Sequence, residues 1–183
     1  MRALLRFEAV TLRRGGRLLF ENLDLGVGPG EALHVTGANG SGKSSLIRLA
    51  AGLLRAEAGR VDRPSVALLD DAVTLDGELP LGKALRFWTP GVDQGVEAMG
   101  LAGLGQVPVR LLSSGQRKRA SMARVAASGA TLWLLDEPMN GLDADGVERL
   151  DTLIAHHRAT GGAVVAASHH RLTGDWAQLE LGR

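Results

Sequence analysis

The sequence predicts an α/β protein with a mainly parallel sheet core covered by helices on both faces, an amino-terminal antiparallel β subdomain and a short helical subdomain. Three observations carry this reading. From Glu31 onward, apolar strand-like runs alternate with helical periodicity, the pattern of a parallel sheet whose crossovers cover it. Before that point the strand-like runs are separated only by short turns, as antiparallel neighbours are. Between residues 72 and 112 the pattern weakens to short helical segments with no strand.

Taken in order, "LLRFEAVTL" meets the turn "RRGG" and is followed by "RLLF" and then by "NLDLGV", where Leu23, Leu25 and Val27 alternate with polar or small residues before the breaker "GPG". The strand "EALHV" runs into "TGANGSGKSS", after which Leu46, Leu49, Ala50 and Leu53 fall on one helical face. Gly59 and Pro64 act as breakers ahead of the strand "SVALL", residues 65–69. Helices are expected near Leu81–Trp88 and Val92–Met99, separated by Pro90 and Gly91, and after Ser113, where Ala120, Ala123 and Ala127 share a side up to Gly129. The strand "TLWLL", a helix carrying Val147, Leu150 and Ile154 up to Gly161 and Gly162, and the strand "AVVAAS" complete the alternation.

Composition narrows the function. A length of 183 residues favours one domain, here 1–183, with the helical subdomain at about 72–128. A formal charge of +1 with 22% charged residues argues against nucleic-acid binding, which calls for a strongly basic face. The absence of cysteine excludes disulfides and thiolate metal sites. No run approaches the roughly 18 apolar residues of a membrane span, and the amino end has too short an apolar stretch for a signal peptide. Any membrane association is therefore expected to come through a partner.

The sharpest motif is "GANGSGKS", which matches the phosphate-loop pattern at every fixed position and lies between a strand and a helix. Gly37, Ala38, Asn39, Gly40, Ser41, Gly42, Lys43, Ser44 and the following Ser45 are its candidate nucleotide-binding residues. Glycines let backbone N–H groups curl around phosphates, and the helix N-terminus adds partial positive charge. Lys43 would reach the β- and γ-phosphates and Ser44 would offer its hydroxyl to Mg²⁺. In "TLWLLDEP" an apolar strand delivers two carboxylates at its C-terminal end, where parallel sheets bind ligands. Asp136 would hold Mg²⁺, and Glu137 would orient and deprotonate a water; the plainer alternative is that both acids cap the following turn.

A second anion-binding turn lies in "LLSSGQRKR". Ser113 and Ser114 read as N-cap residues, Gly115 as a point of close backbone approach, and the helix as starting at about Gln116. Arg117, Lys118 and Arg119 then occupy first turns where the helix dipole favours acids, which makes sense if an anion docks there. A solvated arginine-rich helix is the alternative. A nucleotide held between two copies of the chain would satisfy both turns at once.

"GANGSGKS", "LSSGQ", "LWLLDEP", "NGLD" and "SHH" occur in the order found in ATP-binding cassette (ABC) ATPases, and the chain resembles that branch of the phosphate-loop (P-loop) NTPases over residues 37–170, with the amino-terminal strands resembling its β subdomain. The resemblance implies a head-to-tail homodimer closing over two ATP molecules with Mg²⁺. Each ATP would lie between the phosphate loop of one chain and the signature turn Ser113, Ser114, Gly115, Gln116 of the other. Asn140 to Asp143 would cross the interface, and His169 would sense the γ-phosphate beside Glu137. Three positions depart from the family pattern: Ser114 stands in place of a glycine, Arg13 or Arg14 in place of an adenine-stacking aromatic, and Asp70 and Asp71 where a glutamine is expected. A carboxylate at the last position could itself ligate Mg²⁺.

Within the family, "RRGGRLLFENLDL", "SLIRLAAGLL", "ELPLGKALRFW", "LWLLDEPMNGLDADGVERL" and "GGAVVAASHHRL" resemble the ATP-binding subunits of haem exporters used in cytochrome c maturation. That resemblance implies a peripheral subunit on the cytoplasmic face of a bacterial inner membrane, bound to multi-span permease subunits, whose ATP hydrolysis drives haem movement or release of a haem-loaded chaperone. The ATPase of a different exporter, a soluble cassette ATPase acting as a mechanical switch on a macromolecule, and a simple nucleotide kinase stay open as alternatives. Residues 72–112, which include Leu81, Leu85, Phe87 and Trp88, are the expected docking surface, or else a small satellite core under a loop. His34 reads as a core or edge residue, His156 and His157 as surface residues near a helix end, and His170 as a neighbour without a role.

Overall fold

The computed structural model describes residues 3–72, 74–89 and 91–182; Pro90, expected to separate two helices, lies outside the described residues. The chain forms two compact units, one of residues 1–68, 130–137 and 157–183, the other of residues 69–129 and 138–156.

The first unit is built on a five-stranded sheet of β3 (Ala32–Gly37), β5 (Val66–Leu69), β6 (Leu132–Asp136), β7 (Ala163–Ala167) and β8 (Ala177–Leu181), in the order β5-β6-β7-β3-β8. β7 pairs in parallel with β3 and β6, and β3 in parallel with β8. All five residues of β7 and Leu132 to Leu135 of β6 are buried, which is why these strands read as unbroken apolar runs rather than alternating ones. Helix α1 (Lys43–Ala50) adds Leu46, Ile47, Leu49 and Ala50 to the same cluster as Val35, Leu132, Leu134 and Val165. Leu53, expected on the buried face of this helix, lies beyond its end and is 60% exposed. The chain turns away at Gly52, whose φ is 77°.

The antiparallel sheet has the order β2-β1-β4, from β1 (Leu5–Arg14), β2 (Arg17–Val27) and β4 (Ala58–Asp62). β1 and β2 are joined by Gly15 and Gly16 at φ 57° and 79°, the positive values that a two-residue hairpin turn requires. "RLLF" and "NLDLGV" form one strand rather than two. The apparent break reflects bulges where Ala9 and Asn22 take positive φ. There, side chains replace ladder partners: Ala9 N donates to Asp24 Oδ1 at 2.8 Å, and Asn22 N donates to Thr11 Oγ1 at 3.2 Å.

Two strands are absent from the sequence reading. β4 contains Gly59, expected to be a breaker, at φ 84° and pressed against the carbonyls of Glu8 and Ala9 in bulged β1. A Cβ there would overlap both oxygens, so glycine is what allows the pairing. β8 is an edge strand, "AQLEL", with one exposed face and little apolar signal.

The second unit holds α2 (Leu81–Arg86), α3 (Asp93–Ala98), α4 (Ser114–Ala126) and the first part of α5 (Ala144–Ala159). Of the four residues expected to act together, Leu81 and Leu85 are fully buried with Met99, Leu101 and Met122, whereas Phe87 is 82% and Trp88 47% exposed. The helix ends at Arg86, so the two aromatics fall on the turn after it. Arg124 lies over the Trp88 ring, 4.9 Å from its centroid, and burial lowers its pKa.

Ion pairs account for two of the three cations that opened α4. Buried Lys118 Nζ meets Asp71 Oδ1 at 3.0 Å, and Arg119 Nη1 lies 3.4 Å from Asp145 Oδ2. Asp145 also accepts from Arg149 Nε at 2.8 Å, and that hydrogen bond holds its carboxyl below the usual range. Asp70 is buried and accepts from Ala72 N at 2.9 Å. The two acids read as possible metal ligands are thus a turn cap and an ion-pair partner.

Two stability measurements check this account. Gly59→Ala should lower unfolding stability by about 2–3 kcal/mol, against about 1 kcal/mol for Gly129→Ala, where φ is also positive but nothing lies within 4 Å. Equal losses in urea titrations would remove the carbonyl contact as the cause. Asp71→Asn should cost about 1 kcal/mol because Lys118 stays buried without its counter-charge, while Lys118→Met should change stability by no more than about 0.5 kcal/mol. The reverse order would contradict the assignment of the pair.

Candidate nucleotide-binding site

β3 ends at Gly37 and α1 begins at Lys43, so the intervening loop must bend sharply, and Gly37, Gly40 and Gly42 take φ of 138°, 77° and 109°. A Cβ on Gly37 would run into the Leu181 carbonyl and lie 2.7 Å from Ser41 Oγ; one on Gly42 would lie 3.3 Å from Leu19 Cβ of the hairpin. Lys43 is buried, and its Nζ donates to the carbonyls of Gly37 at 2.9 Å and Ala38 at 3.2 Å, across the loop. The loop thus holds its own cation over the curl of backbone N–H groups. Asn39, Gly40, Gly42, Lys43, Ser44 and Ser45 line a cavity of about 370 Å³, with Glu137 and His169 on its wall.

The parallel register brings the second motif here. Val35 of β3 and Asp136 of β6 both pair with Ala167 of β7, so Val35 lies level with the end of β6 and β3 runs two residues further to Gly37. Ser44 Oγ, one residue into α1, donates to Asp136 Oδ1 at 3.0 Å. Glu137 follows with φ 46°, a left-handed conformation that a non-glycine residue adopts at a cost, anchored by its N–H to the Ala167 carbonyl at 2.8 Å. Adjacent carboxylates therefore diverge, Asp136 toward Ser44 and Glu137 toward His169, whose Nε2 lies 3.6 Å from Glu137 Oε1. A water or phosphate oxygen can reach both of these side chains, since Glu137 is 20% and His169 47% exposed.

The remaining histidines are placed by packing. His34 is buried, with Nε2 3.0 Å from the Ser168 carbonyl and its ring edge-on to Trp176. His157, expected at the surface, lies flat on Trp133 with centroids 3.8 Å apart. His156 and His170 are exposed. Arg13 and Arg14 point to opposite faces of the hairpin, Arg13 to Glu57 at 3.3 Å and Arg14 to Ser45 Oγ at 3.4 Å.

In the second unit, α4 starts at Ser114 with Ser113 as its N-cap, two residues earlier than the expected start. Ser113 Oγ accepts from Gln116 N at 3.1 Å and Gln116 Oε1 accepts from Ser113 N at 2.9 Å, a reciprocal capping box. The S-x-x-Q spacing was the available signal for it. Gly115 sits inside the first turn, where a Cβ would lie 2.8 Å from the Gly141 carbonyl of the "NGLD" segment. Ser114, Arg117, Asn140 and Gly141 border a cavity of about 470 Å³ together with Asp71 and Lys118. Asp143, in the same segment, caps α5 by accepting from Gly146 N at 2.8 Å.

Comparison with known proteins agrees with these features. Residues 20–140 match the ABC transporter family. The cytochrome c biogenesis ATP-binding export protein CcmA of Sphingopyxis alaskensis is 54% identical over 191 aligned residues, covering 100% of this chain and 98% of that protein. The protein of the same name from Novosphingobium aromaticivorans is 58% identical over 167 residues, covering 89% of this chain and 87% of its own. Among solved structures, an ATP-binding subunit of an ABC transporter superposes with a TM-score of 0.82 at 19% identity, covering 91% of this chain and 79% of that one. CbiO1 of Clostridium perfringens, part of the ABC transporter complex CbiONQ, superposes with a TM-score of 0.77 at 23% identity, covering 93% and 80%. A phosphate loop, a paired hydroxyl and carboxylate at two strand ends, and a capped Ser-Ser-Gly-Gln turn occur here in a sequence that matches over most of its length: the chain belongs to the ABC transporter family.

Proposed function

We propose that the chain is the ATP-hydrolysing subunit of a cytochrome c biogenesis export complex, in which hydrolysis drives haem movement or release of a haem-loaded chaperone. The observation that carries the ATPase part of this reading is the 3.0 Å contact between Ser44 Oγ and Asp136 Oδ1 beside the phosphate loop. The export assignment is supported by identity to the CcmA proteins that extends across the whole chain. In this reading residues 1–183 act as one ATP-binding domain, with residues 72–128 as its helical subdomain.

Residues 37–45 hold the triphosphate, with Lys43 leaving its two carbonyl partners for the β- and γ-phosphates. A hydroxyl and a carboxylate are the hard oxygen donors that suit Mg²⁺. Among the described residues no group of three acidic or histidine side chains could hold a metal alone, so Mg²⁺ at Ser44 and Asp136 would share its coordination with phosphate and water and would neutralise phosphate charge. Glu137 accepts a proton from the attacking water, and its left-handed backbone directs it away from Asp136, so the two carboxylates serve different partners. His169, 3.6 Å from Glu137, donates to the γ-phosphate and fixes that end of the nucleotide.

Ser113, Ser114, Gly115 and Gln116 would receive the nucleotide bound by a second copy, giving a homodimer with ATP at its interface. Among the described residues no helix is long and apolar enough to cross a membrane. The place of action proposed is the cytoplasmic face of the inner membrane, against multi-span permease subunits. Exposed Phe87 and Trp88 are the candidate contact residues, and Leu81 and Leu85, both buried, are not.

Glu137→Gln should keep ATP affinity, slow hydrolysis by on the order of a hundredfold or more, and convert the 19.2 kDa chain to a species of twice that mass when ATP is added, read by light scattering. Hydrolysis at the normal rate would remove Glu137 as the base. Purified from detergent-solubilised native membranes with ATP, the same variant should bring multi-span cytochrome c maturation proteins with it. Recovery of a different permease would change the cargo.

A further inference from the structure

His34 occupies a position where an apolar side chain would serve the core as well. β3 runs between β7 and β8, and its residues Ala32 to Val35 are all buried. Leu33 and Val35 join the cluster that includes α1, and strand alternation turns His34 to the opposite face. A buried imidazole is costly unless its polar atoms find partners, so a histidine here calls for one. That partner is the Ser168 carbonyl, 3.0 Å from Nε2. A carbonyl oxygen only accepts, so Nε2 carries the hydrogen.

Ser168 follows the last residue of β7 and precedes His169. It opens the segment 168–176, which has neither helix nor strand and leads to β8. The Ser168 C=O and the His169 N–H belong to one planar peptide unit, so the bond from His34 fixes the plane on the amino side of His169. On the carboxyl side, His170 N donates to Ser168 Oγ at 3.0 Å. Ser168 is itself buried and its N–H donates to the Val35 carbonyl at 3.3 Å. The His169 backbone is therefore held on both sides, while its side chain stays 47% exposed and 3.6 Å from Glu137. The far end of the segment returns to the same imidazole. Trp176 lies edge-on to His34 with ring centroids 6.3 Å apart, and its Nε1 donates to the Thr173 carbonyl at 2.9 Å.

Resting on the reading of Glu137 and His169 above, we propose that His34 is a positioning residue for ATP hydrolysis: from inside the sheet it sets the peptide plane from which His169 reaches the γ-phosphate. The ring is buried and is not among the residues that line the phosphate-loop cavity, so it acts through His169 and touches neither nucleotide nor water there. Its hydrogen bond is one of two that bracket His169. A misplacement of about 1 Å at a reacting group can cost about a hundredfold in rate, and losing one bracket while the other remains is expected to cost about tenfold.

The experiment measures ATP affinity by titration, hydrolysis in steady state and in a single turnover, and amide hydrogen exchange over residues 168–176, all on the full chain. His34→Leu should leave ATP affinity and KM unchanged, lower kcat about tenfold, and speed exchange of the His170 amide about tenfold. His34→Gln, whose amide nitrogen falls where Nε2 stands, should stay within about threefold of the wild type, whereas the equally polar but shorter His34→Asn should fall like His34→Leu. In a His169→Ala background, His34→Leu should change the single-turnover rate by less than about twofold, because the group it positions is gone. A kcat for His34→Leu equal to that of the wild type would overturn the inference, as would equal losses for His34→Gln and His34→Asn. The same tenfold loss in the His169→Ala background would also overturn it, by showing a general packing defect. Should His34→Leu fail to fold, the contrast between His34→Gln and His34→Asn decides alone. If the wild type does not hydrolyse ATP, or His169→Ala hydrolyses it at the wild-type rate, the reading of the site itself falls. If His169→Ala loses hydrolysis and His34→Leu keeps it, only the role of His34 falls.

Discussion

A hydroxyl at the start of α1 donates to a carboxylate at the end of β6, 92 residues later, and the rest of the site depends on that meeting. It is a consequence of register. Val35 and Asp136 share Ala167 as a partner across β7, which sets Val35 level with the end of β6 and leaves β3 to reach the phosphate loop at Gly37, two residues beyond. A slip of one residue in either pairing would turn Asp136 to the opposite face of the sheet. The five residues of β7, alanines and valines, are all buried, so the strand that carries both pairings lies inside the core. Leu46, Ile47 and Leu49 then hold α1 against the sheet, so the chemistry of Ser44 rests on the core beneath it.

The same logic of divided labour runs through the two carboxylates. Asp136 ends a strand in extended backbone, whereas Glu137 is forced into the left-handed region and tied to the Ala167 carbonyl. The local cost, of order 1–3 kcal/mol, is tolerated because the buried strands on either side over-determine the backbone. The signature turn follows a different principle: it is complete in itself. Ser113 and Gln116 satisfy each other's backbone N–H groups, and Gly115 lets the Gly141 carbonyl approach, so the helix end is ordered before any anion arrives.

What could be read from the sequence divides along local and non-local physics. The phosphate loop and the strand before Asp136 were legible because each is a contiguous pattern whose spacing has its own chemical meaning. β4 was not, because Gly59 owes its place to a bulge in β1 some fifty residues earlier; β8 was not, because an edge strand carries polar residues on its exposed face. The cations after the signature turn looked like a run inviting an anion. Lys118 and Arg119 in fact answer Asp71 and Asp145, partners too distant in sequence for spacing to reveal, and only Arg117 remains exposed. His157 was misplaced for the same reason, since its neighbour is a tryptophan on a strand rather than the solvent beyond a helix end.

The central claim is that Ser44 and Asp136 form a hard-oxygen position beside the nucleotide, and Asp136→Asn tests it most directly. The amide keeps an oxygen that can accept from Ser44 but removes the charge that a divalent cation needs. We predict that ATP affinity measured without Mg²⁺ is unchanged, and that the Mg²⁺ concentration for half-maximal hydrolysis rises by about tenfold or more, or hydrolysis is lost. Hydrolysis with an unaltered Mg²⁺ dependence would contradict the account.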